Sequence, residues 1–110
     1  MQFMGSLYVG ESIASAEYKI VEKVHKGKAV LGLYLISMST NPDNMLDLIP
    51  QTDLLQKFYP KDNLKIVGIA GGKKEAIALV QSIIADSIQE TGDADVRRFL
   101  NMKWEGQACR

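Results

Sequence analysis

The segment LKIVGIAGGKKEAIALVQSII, which begins at Leu64, constrains the fold more than any other part of the chain. A run that is apolar at nearly every position over residues 64–70 reads as a strand. Two glycines follow, and from Lys73 to Thr91 the pattern changes to helical spacing, with Ile77, Val80, Ile84 and Ile88 on one stripe and Ala76, Leu79 and Ile83 widening it. Burial of six such aliphatic side chains is worth about 9–18 kcal/mol gross, much of it offset by lost chain entropy. Gly92 is placed to stop the helix. A buried strand that turns directly into an amphipathic helix is the unit of layered α/β folds.

The rest of the chain fits that scheme. SLYVG reads as a short first strand, residues 6–9. ESIASAEYKIVEKVHKG carries Ile13, Ala16, Ile20 and Val24 at three- and four-residue spacing, with Ser12 or Ser15 as cap and Gly27 as stop. AVLGLYLISMS, residues 29–39, is apolar enough for a strand covered on both faces. TNPDN is a turn. Pro50 forbids one unbroken helix through MLDLIPQTDLLQKFYP; a turn of helix at 45–48 and a helix over 50–59 are expected there, with a strand at 45–49 as the alternative. DADVRRFLNMKW closes the order as a short helix with Asp93 or Asp95 at its cap. The expectation is one α/β domain over residues 1–110, of two or three layers, with a mostly parallel sheet of three to four strands and a frayed tail from residue 105.

A local conflict marks the candidate site. The start of a helix carries unpaired N–H groups and a partial positive charge, which favour acids. Lys73 and Lys74 put the opposite sign there, with Glu75 alone to compensate. A bound anion resolves the conflict, because the backbone at Gly71 and Gly72 can approach closely while the lysines supply charge. In a parallel sheet the ends of all three strands share one edge, so Ser12, Ser39, Thr40 and Asn41 are expected beside Gly71, Gly72, Lys73 and Lys74, lining a site for a phosphate, carboxylate or nucleotide. GIAGGKK is neither a nucleotide P-loop nor a dinucleotide fingerprint: three residues, not four, separate Gly68 from Gly72, and Lys74 stands where the metal-binding hydroxyl is needed. A tight turn with solvated lysines explains the same residues.

Composition narrows the function classes. Thirteen basic residues balance thirteen acidic ones, and neither half of the chain is strongly charged, which argues against a nucleic-acid or anionic-membrane surface. Nucleic-acid binding requires Lys73, Lys74, Arg97 and Arg98 to share one face. No segment has the length of a membrane span, and the first residues lack the pattern of a signal peptide; a cytoplasmic location is expected. Cys109, the single cysteine, has no partner for a disulfide or zinc site. His25 reads as a surface residue at a helix end; the spacing of Asp43, Asp47 and Asp53 matches no calcium loop, and turn and cap duties explain Asp43 and Asp53. Arg97 and Arg98 read as solvated or paired with Asp93 and Asp95. Phe99 is assigned to the core, and Trp104 to an interface.

The stretch LIPQTDLLQKFYPKDNLKIVGIAGGKKEAIALVQSII, with TGDADVRRFL after it, resembles small uncharacterised bacterial proteins of low-GC Gram-positive type. The resemblance implies a bacterial, cytoplasmic, single-domain protein and no particular chemistry. With no catalytic constellation, metal set or cofactor motif in the sequence, the expectation is a small non-catalytic binding or accessory protein acting as a homodimer; a small-anion or nucleotide binder at the turn 71–74, or a minor enzyme built on it, is the alternative.

Overall fold

The computed structural model describes residues 1–39, 41 and 44–106. Cys109 and most of the expected frayed tail lie outside them, as do Thr40 and Asp43. Four strands form one sheet in the order β1-β4-β2-β3: β1 (Gln2–Val9), β2 (Tyr34–Met38), β3 (Leu46–Pro50) and β4 (Lys65–Ala70). Helix α1 (Glu17–His25) follows β1 through a 3₁₀ segment, Glu11–Ala16; a second 3₁₀ segment, Gln51–Leu55, follows β3; α2 (Lys73–Thr91) and α3 (Val96–Glu105) complete the chain.

The sheet is mixed, not mostly parallel. β4 pairs parallel to β1, but β2 pairs antiparallel to both β4 and β3. The cause is the region around Pro50. Residues 46–50 form a strand, the alternative reading for this stretch, instead of a turn of helix, so β2 and β3 pair as neighbours in sequence and in the sheet. A short connection returns the chain beside the strand it has just left, whereas a parallel neighbour needs a long crossover. The helix expected over 50–59 shrinks to the 3₁₀ turn at Gln51–Leu55. The strand expected over 29–39 starts only at Tyr34, because residues 29–33 form the approach to the sheet. In that approach the buried Gln51 side chain accepts from the Val30 N–H and donates to the Lys28 carbonyl, each at 2.9 Å.

Central strand β4 is buried at every position after Lys65, and its two faces anchor two cores. Ile66 and Ile69 pack with Phe3, Leu35 and Ile49 under Ile20, Val21 and Val24 of α1. Val67 packs with Met4 and Ile36 under Ile83 of α2 and Val96, Phe99 and Leu100 of α3. Three layers result. Phe99 is core, as expected; Trp104 is half-buried against the second core, with the Lys65 ammonium 5.4 Å from its ring centre.

Helix α2 spans the residues its pattern predicts and stops at Gly92, whose φ of 82° is left-handed. Its orientation differs from the expectation. Ala76, Ile83 and Ser87 face the sheet, with Leu79 and Val80 at the margin, whereas Ile77, Ile84 and Ile88 stay exposed. Small residues on the inner face let the helix approach a sheet already filled by α3, and the Ser87 hydroxyl is satisfied by donating to the Asp93 carbonyl at 3.0 Å. Asp95 caps α3 as expected, accepting from the Arg98 N–H at 3.1 Å.

Candidate functional site

The turn after β4 is built around a carboxylate that the chain itself supplies. Glu75, in the first turn of α2, reaches back to accept from the Gly71 N–H at 2.7 Å, the Ser12 hydroxyl at 2.8 Å and the Ser12 N–H at 3.2 Å. Three donors hold its carboxyl below the ordinary value of 4.5, the Gly71 N–H first and the Ser12 hydroxyl next. The conflict posed by Lys73 and Lys74 is therefore answered in part from within: an anion does sit at the helix start, and it is the third residue of α2. Its fit depends on missing side-chain atoms. A Cβ on Gly10 would collide with the Glu75 carboxylate, and one on Gly71 with the Ser12 hydroxyl. Gly72 has open space around it and an extended φ of 166°, so its backbone makes no demand for glycine.

Ser12 thus joins Gly71, Gly72, Lys73 and Lys74 at one edge of the sheet. Ser39 and Asn41 do not. Because β2 runs against β4, with Tyr34 opposite Ala70 and Ser37 opposite Ile66, the residues after β2 stand at the edge where β4 begins. The assumption that all strand ends meet at one rim is corrected by this reversal; Thr40 lies outside the described residues. Ser39 is buried, its hydroxyl oxygen accepting from the Asn41 N–H at 3.1 Å. Arg97 belongs to the same far edge, donating to the Asn41 carbonyl at 3.2 Å and the Asn44 carbonyl at 2.7 Å. Lys73 and Lys74 are separated from Arg97 and Arg98 by the length of the sheet, so the four cations do not share a face.

Beside the turn runs a shallow groove of about 510 Å³ between the exit of β1 and α2, lined by Gly10, Glu11, Lys74, Glu75, Leu79 and Ser82 among others. It offers one ammonium and two carboxylates. Backbone donors that an incoming anion would use, at Gly71 and Ser12, already serve Glu75. An external anion here has to displace that carboxylate to use those two donors, or rely on the lysine side chains and the N–H groups of the first turn of α2.

Other side chains singled out in the sequence fall into structural roles. His25 is exposed and packs its ring 4.8 Å from that of Phe3. Arg98 pairs with Asp93 at 2.9 Å. Asp47 stands on β3 and Asp53 in the second 3₁₀ segment, and among the described residues no three His, Cys, Asp or Glu side chains converge as a metal site would require. Three features were not found from the sequence. One is Glu75 as the turn's own anion, whose signature is an acid three residues after the helix cap, the spacing of a capping box. Another is the Gln51 clamp, which leaves no local signature. The third is the Tyr8 hydroxyl donating to the Asp86 carboxylate at 2.7 Å, which ties β1 to α2; burial, then that carboxylate, raises the Tyr8 hydroxyl well above its ordinary range.

No protein-family model, curated protein or solved structure matches the chain. Among the described residues, no helix is long and apolar enough to cross a membrane.

Proposed function

We propose that this chain is a small binding or accessory protein that acts as a homodimer, and that the outer stripe of α2 is where two copies meet. One observation carries the reading. Ile77, Ile84 and Ile88 are 42, 36 and 50% exposed on a single helix, and their seven- and four-residue spacing places them within about 20° of one line at 3.6 residues per turn. Ala78, Gln81 and Ala85 flank them without charge, whereas Glu75, Asp86 and Glu90 lie roughly 160–220° round the helix from Ile77. Water disfavours such a row, and a stripe of this spacing is what one helix offers another.

The ends of α2 favour an antiparallel copy. Its first turn holds Lys73 and Lys74 beside the positive pole, and its last turn holds no basic residue beside the negative one. In a two-fold pair centred between Gln81 and Ile84, facing residue numbers sum to 165 (77 + 88, 81 + 84, 74 + 91). Ile77 then meets the partner's Ile88, Gln81 meets the partner's Ile84, and Lys74 lies beside the partner's Thr91 at the carbonyl end of its helix. Each negative pole receives the positive charge it lacks on its own chain, and the arrangement closes on itself as a two-fold interface must. The stripe would cover about 16 Å of helix at 1.5 Å per residue.

Binding of a small anion at the turn 71–74 is the second reading. The two lysine side chains favour it, and the hold of Glu75 on the backbone donors weighs against it. Sedimentation equilibrium over a wide concentration range tests the first reading: a concentration-dependent dimer is expected, and Ile84→Asp is expected to leave a folded monomer. A wild-type chain that stays monomeric at the highest concentration overturns it.

A further inference from the structure

The edge of the sheet opposite the glycine turn has the composition that the turn lacks. A cleft of about 200 Å³ is lined there by Met38 and Ser39 at the end of β2, Asn63 and Lys65 at the start of β4, and Arg97 and Asn101 on α3. At about 30 Å³ per water, it has room for roughly six waters, which is too small for most organic ligands and adequate for a tetrahedral oxyanion. From the geometry of this cleft we infer that it binds a dianionic oxyanion of the phosphate type, free or as the terminal group of a small phosphate monoester. The inference is independent of the dimer.

Four observations carry it. The lining presents a guanidinium, an ammonium, two side-chain amides and a hydroxyl, and among the described residues it holds no carboxylate. Both cations are held in place before any ligand arrives: Arg97 is pinned by the Asn41 and Asn44 carbonyls through one nitrogen, which leaves its other donors to point elsewhere, and Lys65 lies over the Trp104 ring. The acids nearest Arg97 in sequence are committed to other partners, and Asp62, beside Asn63, lines a different depression with Met1 and His25. Asp93 accepts from the Arg98 guanidinium and the Asp95 N–H, and Asp95 caps α3 through the Arg98 N–H. Asp95 and Glu105 do not line the cleft; they line a neighbouring depression that shares Arg97 and Asn101 with it. Lastly, Ser39 is 5% exposed, and its hydroxyl oxygen accepts from the Asn41 N–H, so its own proton is available to a ligand in the cleft. Two positive charges with amide and hydroxyl donors at one small concavity favour a doubly charged oxyanion over a monovalent carboxylate, because each bond to it is charge-assisted.

The test is a titration of isotopically labelled protein followed by NMR, with inorganic phosphate, methyl phosphate, sulfate and acetate as separate ligands. The expected result is saturable movement of the Asn63 and Asn101 side-chain amides and the Arg97 Nε–H with phosphate, methyl phosphate and sulfate, and weaker binding of acetate. Tighter binding of methyl phosphate than of phosphate assigns the monoester as the ligand; the reverse assigns free phosphate. Lys65→Gln and Asn101→Ala are each expected to weaken binding about tenfold. These two positions are exposed, so the fold survives the change even if Arg97→Gln loosens the stretch it pins. Lys73→Gln with Lys74→Gln is expected to leave binding unchanged. The proposal is overturned if no saturable shift occurs, if Lys65→Gln and Asn101→Ala bind as tightly as wild type, or if the shifts centre on Gly71 and vanish with the lysine pair.

Discussion

Ile83 and Ile84 are adjacent and chemically identical, yet one is fully buried and the other 36% exposed. Ile83 packs among Met4, Ile36, Val67 and Phe99. Ile84 lies about 100° further round α2, on a side shared with Ile77 and Ile88. The helix therefore has two apolar faces, and the sheet and α3 occupy only one. Large β-branched residues need not mark the inner face of a helix. Where the sheet and a second helix already supply bulk, the inner face takes small residues such as Ala76 and Ser87, and the larger ones are left for another surface.

The sharpest way to break this comparison is to truncate both isoleucines. Ile83→Ala is expected to cost about 2–5 kcal/mol in urea unfolding, the range for emptying a packed aliphatic site, with association of the remaining folded protein unchanged. Equal costs at positions 83 and 84 would erase the distinction between the faces. Ile84→Asp is expected to weaken association about thirtyfold or more, as for an anchor near an interface centre, while the unfolding free energy of the dilute monomer changes little.

Two further experiments concern the ends of the same helix. Glu75→Gln is expected to cost about 1 kcal/mol, in the range of helix-cap losses. Because the Glu75 carboxyl is held below its ordinary value of 4.5 when folded, its contribution is present above that value and fades as pH falls through the lower, folded one. The stability gap between wild type and Glu75→Gln, measured by thermal melts, should thus be full at neutral pH and close in acid. A gap that persists unchanged in strong acid would show that the carboxylate is not the active form. The smallest effect should come from Lys73→Glu with Lys74→Glu, a few tenths of a kcal/mol per charge, and it should have opposite signs in two assays. The isolated helix start gains the charge it prefers, so the monomer becomes slightly more stable, whereas the dimer weakens and more so at low salt.

The sequence made some elements plain and hid others for physical reasons. Residues 73–91 were legible because a long 3.6-residue period, a glycine stop and the preceding strand all agree. The run after Ser39 was not. LDLIP is short, and Pro50 reads equally as the start of a helix and the end of a strand; only pairing with β2, residue by residue from Tyr34–Pro50 to Met38–Leu46, decides between them. That one strand reverses β2 against β4 and carries Ser39 and Asn41 away from the turn at Gly71. The candidate site was legible as a place of unusual charge. Its occupancy by Glu75 required knowing that Ser12 arrives beside Gly71, a contact between residues 63 positions apart for Ser12 and Glu75. Arg97 gave no local signal for the far cleft, because its setting is assembled from three separate elements.

The irregular pairing of β1 has a bearing on how copies of this chain can meet. Between Phe3 and Tyr8 the strand carries four residues opposite the single Val67 of β4, so the outer border of the sheet bows out of line. An intruding strand needs a straight, evenly spaced row of amide and carbonyl groups to latch onto, and this border does not offer one. At the other border β3 is five residues long and ends in a proline, which has no N–H to donate. Both margins are poor templates for strand-by-strand growth, so crowding should not drive this protein into open-ended fibres.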